Sequence, residues 1–106
     1  MTEEYVIQPT TVKSWKVKGQ RKALAASWTA NAAQTTGYQI QYARSRTFST
    51  GSRKNAWISG RKTTSKRVTA GVLSRKTYYV RIRAYRTVDG QKFYSKWSSV
   101  QRITSK

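Results

Sequence analysis

The chain has 106 residues, a length that suits one domain, and carries 22 Lys and Arg against 3 Asp and Glu, a formal charge of +19 without histidine or cysteine. The acids are Glu3, Glu4 and Asp89, so residues 5 to 88 hold 18 cations and no carboxylate. This balance excludes paired-carboxylate catalysis, Ser-His and Cys-His nucleophiles, His/Cys zinc sites and carboxylate-rich calcium or magnesium sites, so neither an enzyme nor a cofactor is expected.

In chain order, Met1 to Glu4 opens an acidic tail, residues 1–7, unlike a signal peptide. Pro9 begins a segment with Val12, Trp15 and Val17 apolar, and Gly19-Gln20 is expected to turn it. Leu24, Ala26 and Trp28 alternate with Ala25 and Ser27, which predicts a strand with its large residues on one face. A polar loop from Asn31 to Thr36 follows. Tyr38, Ile40 and Tyr42 alternate with Gln39 and Gln41, the pattern of a half-buried strand.

Arg44 to Lys54 reads as a basic, Ser/Thr-rich loop anchored by Phe48, and Ala56-Trp57-Ile58 as a short edge strand before Gly60. Val68, Ala70 and Val72 alternate again. Tyr78, Val80, Ile82 and Ala84 share one face of a long strand, with Tyr79, Arg81, Arg83 and Tyr85 on the other. Asp89-Gly90 is a strong signal for a two-residue hairpin turn, which needs positive φ at both positions. Trp97, Val100 and Ile103 do not fit one unbroken alternation, which places a bulge near Ser98-Ser99.

Four Trp, seven Tyr and two Phe argue against disorder despite the charge. No run of about 18 apolar residues is present to span a membrane. The absence of cysteine removes any disulfide framework and leaves the compartment open, between a cytosolic protein and a module cut from a longer exported one.

Short strands at these spacings predict an all-β, seven-stranded immunoglobulin-like sandwich over residues 8–106. The residues go further. Pro9, Trp28 at a strand end, Tyr38-Gln39-Ile40-Gln41-Tyr42, the six-residue step from Val72 to Tyr78, the run Tyr78 to Ala84 and Trp97-Ser98 together resemble a fibronectin type III domain. Val72 departs from that pattern, which usually has Leu, as does Trp15, which adds volume near the first strand. Residues 36–42 and 83–90 are especially similar to repeats of secreted and surface proteins of Gram-positive bacteria. The resemblance implies a non-catalytic spacer or protein-binding module of a longer exported protein, extracellular and monomeric as an isolated domain. It also implies structural roles for Trp28 and the corner Tyr78.

Two surface regions are candidate binding sites. A two-residue turn at Asp89-Gly90 sets Arg83 opposite Lys96, Tyr85 opposite Tyr94 and Thr87 opposite Lys92. That outward strip, Tyr79, Arg81, Arg83, Tyr85, Lys92, Tyr94 and Lys96, interleaves cations with aromatics as a polyanion site would. It equally suits a solvated sheet face whose basic stems cover apolar surface. In cytokine-receptor relatives of this family a Trp-Ser motif stacks on strand arginines. The resemblance of Trp97-Ser98 to it implies that a bulge before Trp97 brings its indole out between Arg81 and Arg83, a structural use of both; the simple register points Trp97 inward against Ile82. The second candidate is the loop with Arg44, Arg46, Arg53 and Lys54, with Arg61, Lys62, Lys66 and Arg67 close behind, where Ser and Thr hydroxyls add donors for phosphate or sulfate, or where the charge serves solubility alone.

The expected partner is an anionic polymer of cell wall or host surface, or an acidic protein surface. Nucleic acid would be bound without sequence specificity, since no element is shaped for the major groove. A dedicated polyanion-binding protein on this fold and a recognition scaffold, natural or engineered, for one acidic protein remain open.

Overall fold

Apolar residues at every second position, separated by turn-forming residues, build a computed structural model of strands alone; it describes residues 9–30 and 35–106. The strands are β1 (Lys16–Gln20), β2 (Ala23–Ser27), β3 (Gly37–Ala43), β4 (Lys54–Ile58), β5 (Ser65–Val68), β6 (Thr77–Val88), β7 (Gln91–Tyr94) and β8 (Gln101–Thr104). One sheet has the order β1-β2-β5, the other β4-β3-β6-β7, with β8 also paired to β6. Neighbours are antiparallel throughout.

The facing sides of the two sheets form the core. Val17, Leu24, Ala26 and Val68 come from the three-stranded sheet; Tyr38, Ile40, Tyr42, Val80, Ile82 and Ala84 come from the other. Trp28 joins them, its ring centroid 5.3 Å from that of Tyr38 and 6.3 Å from that of Trp15. Trp15 thus fills core volume at the edge of the first sheet. The turn before β6 is closed by Tyr78, whose hydroxyl accepts the Leu73 N–H at 2.8 Å and donates to the Gly71 carbonyl at 3.4 Å. Val72, six residues earlier, is buried beside it. The structural roles expected of Trp28 and Tyr78 are the ones they have.

Four details differ from the sequence reading. Among the described residues there are eight strands and not seven, because the last expected strand is interrupted into β7 and β8. The first turn falls at Arg21-Lys22, with Lys22 at φ 52, and not at Gly19-Gln20. Gly19 lies within β1, where a Cβ would overlap the Thr104 carbonyl, so the absence of a side chain serves close approach of β8. β5 ends at Val68, and Ala70 is exposed in the turn beyond it. Finally, β3 is buried along its whole length, Gln39 and Gln41 included, because long side chains from β6 lie across its outer face. The expected tail, residues 1–7, and residues 31–34 of the expected loop lie outside the described residues.

Candidate functional site

The outer face of the five-stranded sheet holds most of the residues singled out from sequence. Asp89 and Gly90 take φ 50 and 79, the geometry of the expected turn. β6 and β7 pair in the expected register, Tyr85 with Tyr94 and Thr87 with Lys92. Beyond Tyr94 that register stops. β8 re-pairs at Val80 with Gln101, so seven steps of chain from Tyr94 oppose five from Tyr85.

Two serines bridge the interruption. Ser95 donates its N–H to the Ala84 carbonyl at 3.0 Å, and its hydroxyl accepts the Ala84 N–H at 2.9 Å. Ser98 does the same with Ile82, at 2.8 and 3.0 Å. Each serine thus replaces a backbone acceptor with its hydroxyl, and the buried edge of β6 keeps its hydrogen bonds where a ladder partner is missing. The irregularity is wider than the bulge expected at Ser98-Ser99, and it turns Trp97 outward.

There the indole sits between two arginines, Arg81 at 4.1 Å and Arg83 at 4.3 Å from its centroid. The stack continues at both ends: Arg83 lies 3.7 Å from the Tyr94 ring, and Arg81 lies 4.1 Å from the ring of Phe48. The order is therefore Tyr94, Arg83, Trp97, Arg81, Phe48. Guanidinium edges are engaged as well. Arg83 Nε donates to Gln39 Oε1 at 2.7 Å, and Arg81 Nε to Gln41 Oε1 at 2.9 Å, with a second, shorter bond from its Nη2. Both glutamine amides then donate to Asn55 Oδ1 on β4, at 2.8 and 3.1 Å. Burial pushes both guanidinium groups below the ordinary arginine range; the charges of Arg83 and Arg53 add to this at Arg81, while Tyr94 opposes it at Arg83. Both stay charged at neutral pH.

The same stack ties the second candidate region to the first. Phe48, buried with φ 54, anchors the loop after β3 beneath Arg81, as the sequence suggested. Arg44, Arg46, Arg53 and Lys54 are all exposed, with Arg44 also approaching the Tyr78 ring at 5.6 Å. The loop hydroxyls are largely turned on one another, Ser45 to Thr47 and Ser49 to Ser52, each pair at 3.0 Å. Among the described residues no three His, Cys, Asp or Glu side chains gather as a metal site would need.

No family model matches the sequence, and no curated protein matches it either. Solved structures do. A computationally redesigned β-sandwich protein superposes with a TM-score of 0.66 at 18% identity, over 93% of this chain and 90% of that one. The FN1–FN3 domains of chicken CNTN1 superpose with a TM-score of 0.65 at 15% identity, over 92% of this chain and 34% of that one. With the strand order and the tyrosine corner already in place, these likenesses decide the architecture. The chain has a fibronectin type III fold.

On this fibronectin type III sheet the strip of seven residues divides. Arg81, Arg83 and Tyr94 form the stack, and Tyr85 is buried, its ring edge-on to Trp57 at 5.7 Å between centroids. Tyr79 is half-buried opposite Arg102 of β8. Lys92 is exposed and lies 5.6 Å from the Trp57 ring and 5.7 Å from that of Tyr85. Lys96, in the interruption, is exposed and does not pair with Arg83. The residue missed from sequence is Trp57, which is 48% exposed. Its position was readable: between the inward Ala56 and Ile58 of an edge strand, it has to point out.

Proposed function

We propose that the chain is a non-catalytic spacer and adhesive module of a longer exported protein, held at anionic surfaces by diffuse charge. The fold, shared with modules and designed sandwiches, supports a binding role in preference to a catalytic one. The similarity of residues 36–42 and 83–90 to Gram-positive surface repeats supports an extracellular location. One observation carries the anionic partner: every Lys and Arg except Arg81, Arg83 and Arg86 is exposed, and Asp89 is the only carboxylate side chain among the described residues. These cations cover both sheets, their edges and the loops, so the attraction is spread over the surface, and a polymer presenting many charges gains most from it.

The experiment is salt-dependent binding to heparin, teichoic acid and duplex DNA. Affinity should fall linearly in log salt for all three, with a slope of about −0.9 per phosphate neutralised on the duplex. Failure of all three to bind at about 50 mM salt leaves the spacer role and removes the adhesive one. Selective, salt-resistant binding of DNA alone would point to a dedicated nucleic-acid protein instead.

A further inference from the structure

The two sheets end together on one side of the sandwich, with β4 the outermost strand of one and β5 the outermost strand of the other. Between them runs a groove of about 220 Å³, with residues 55–57 on one wall and residues 66–70 on the other. Tyr42 also lines it, its hydroxyl donating to the Ala70 carbonyl at 2.6 Å. Both walls are thus continuous stretches of main chain. Among the described residues β4 pairs only with β3 and β5 only with β2. The outer edge of each strand therefore presents main-chain N–H and C=O groups to the groove, a template for one more strand.

The charges select what that strand can be. Lys66 stands on the β5 wall and the exposed Lys54 begins β4, whereas Arg67, paired with Ala25, turns to the outer face and donates from Nε to Gln20 Oε1 at 3.0 Å. Lys66 pairs with Ala26, a core position, so the alternation directs it toward the gap between the sheets and not away from it. A second copy of this chain would bring cations against cations, which disfavours self-pairing. An acidic strand reverses that sign. The β4 edge is the less guarded of the two: its middle positions are Asn55, Ala56 and Trp57, whereas β5 reads Ser-Lys-Arg-Val.

We propose that the groove between β4 and β5 receives an extended acidic peptide segment, its main chain adding to the β4 edge and its carboxylates meeting Lys54 and Lys66. Main-chain bonds would supply affinity, and the alternating side chains would supply selection. This site is independent of the diffuse attraction proposed above, because it requires hydrogen bonding by the partner's backbone.

The test uses a capped hexapeptide of alternating Glu and Val, and a peptoid carrying the same side chains on nitrogen, which has equal charge but no N–H to donate. Amide exchange and chemical shifts of the isotope-labelled protein are the readout. The peptide should protect alternate amides of residues 54–58, and the peptoid should bind at least tenfold more weakly. Lys54→Glu with Lys66→Glu should weaken peptide binding at least tenfold while heparin retention is largely kept. Lys54→Gln with Lys66→Gln supplies a milder pair should the reversal disturb folding. Equal binding of peptide and peptoid, shifts scattered over the surface, or no peptide binding overturns the proposal. So does a heparin hexasaccharide that occupies these amides where the peptide does not. A protein that fails here and still binds heparin with the expected salt slope keeps the diffuse role and loses only the groove.

Discussion

The indole of Trp97 lies between two guanidinium groups, 4.1 Å from Arg81 and 4.3 Å from Arg83. Two cations two positions apart on one strand face would ordinarily call for carboxylates, and the described residues offer only Asp89, at the hairpin turn. Ring faces and amide oxygens take that place. Tyr94, Trp97 and Phe48 present the negative faces of their rings, and Gln39 and Gln41 accept the guanidinium edges. The sheet is cross-linked from β4 to the β7–β8 interruption without an anion, and a strongly basic chain can still cover its outer sheet face.

Trp97→Ala should therefore cost stability well beyond a surface truncation. Two half-buried cation–π contacts of about 0.5–2 kcal/mol each are lost, and Arg81 and Arg83 are left facing one another. The expected loss is about 2–4 kcal/mol in urea denaturation, with Trp97→Phe losing less. Heparin affinity of the folded fraction should be unchanged. A variant as stable as the parent would show that the stack only decorates the sheet.

Gln41→Glu tests the same idea with the opposite sign. It places a carboxylate on Arg81, whose other near charges, Arg83 and Arg53, are both positive. Asn55 Oδ1 stays turned toward the Gln39 amide, so the carboxylate loses its contact with Asn55 and part of the attraction is offset. A gain of about 1 kcal/mol at low salt is expected, shrinking as salt is added. A loss of stability would mean that desolvating the carboxylate outweighs the attraction.

Ser95 and Ser98 are expected to be structural. Ser95→Ala or Ser98→Ala leaves the buried N–H of Ala84 or Ile82 without its acceptor. An unsatisfied buried donor costs about 1–3 kcal/mol. Hydrogen exchange should quicken at that one amide in each variant, beyond the global change. Uniform acceleration over all amides would place the effect elsewhere.

Much of this was legible in the sequence because alternation, turn chemistry and spacing act locally. The inward faces of β2, β3 and β6, the Asp89-Gly90 turn, the Phe48 anchor and the Val72 to Tyr78 corner all follow from period two and residue type. What escaped involved contacts between distant segments. Gly19 looked like a turn because its need for close approach to Thr104 is visible only once β8 lies beside β1. Gln39 and Gln41 looked solvated because nothing local announces that arginines some forty positions later cover them. Trp97 could be placed on either face, and two serine hydroxyls decided which. The groove between β4 and β5 joins stretches whose proximity no period encodes.

Glycine positions separate by the same logic. At Gly19 a methyl group would meet the Thr104 carbonyl, and at Gly37 it would meet the Ile58 carbonyl and lie 2.7 Å from the Tyr85 hydroxyl. Gly51 has open space and no positive φ. Gly19→Ala and Gly37→Ala should each cost about 2 kcal/mol or more, whereas Gly51→Ala should stay within about 0.5 kcal/mol. Thermal denaturation of the three variants ranks them; an equal ranking would contradict the packing of β8 on β1 and of Tyr85 on β3.

Alkaline pH should reveal Tyr42. Burial, with the neighbouring Tyr78 adding to it, holds its hydroxyl above the ordinary value of 10.0, and the proton is shared with the Ala70 carbonyl at 2.6 Å. A folded-state value above the unfolded one means the unfolded chain releases this proton first. The associated stability is therefore complete below about pH 10 and is lost as pH rises beyond it, by at most about 1.4 kcal/mol per pH unit. Lysines lose charge in the same range and relieve repulsion, so the net curve mixes opposing trends. The difference between the parent and Tyr42→Phe isolates the tyrosine. The phenylalanine variant should be less stable at about pH 8, having lost the hydrogen bond. The gap should narrow between about pH 9.5 and about pH 11 as urea midpoints are followed. A gap constant across that range would show that the Tyr42 hydroxyl ionises alike in the folded and unfolded chain.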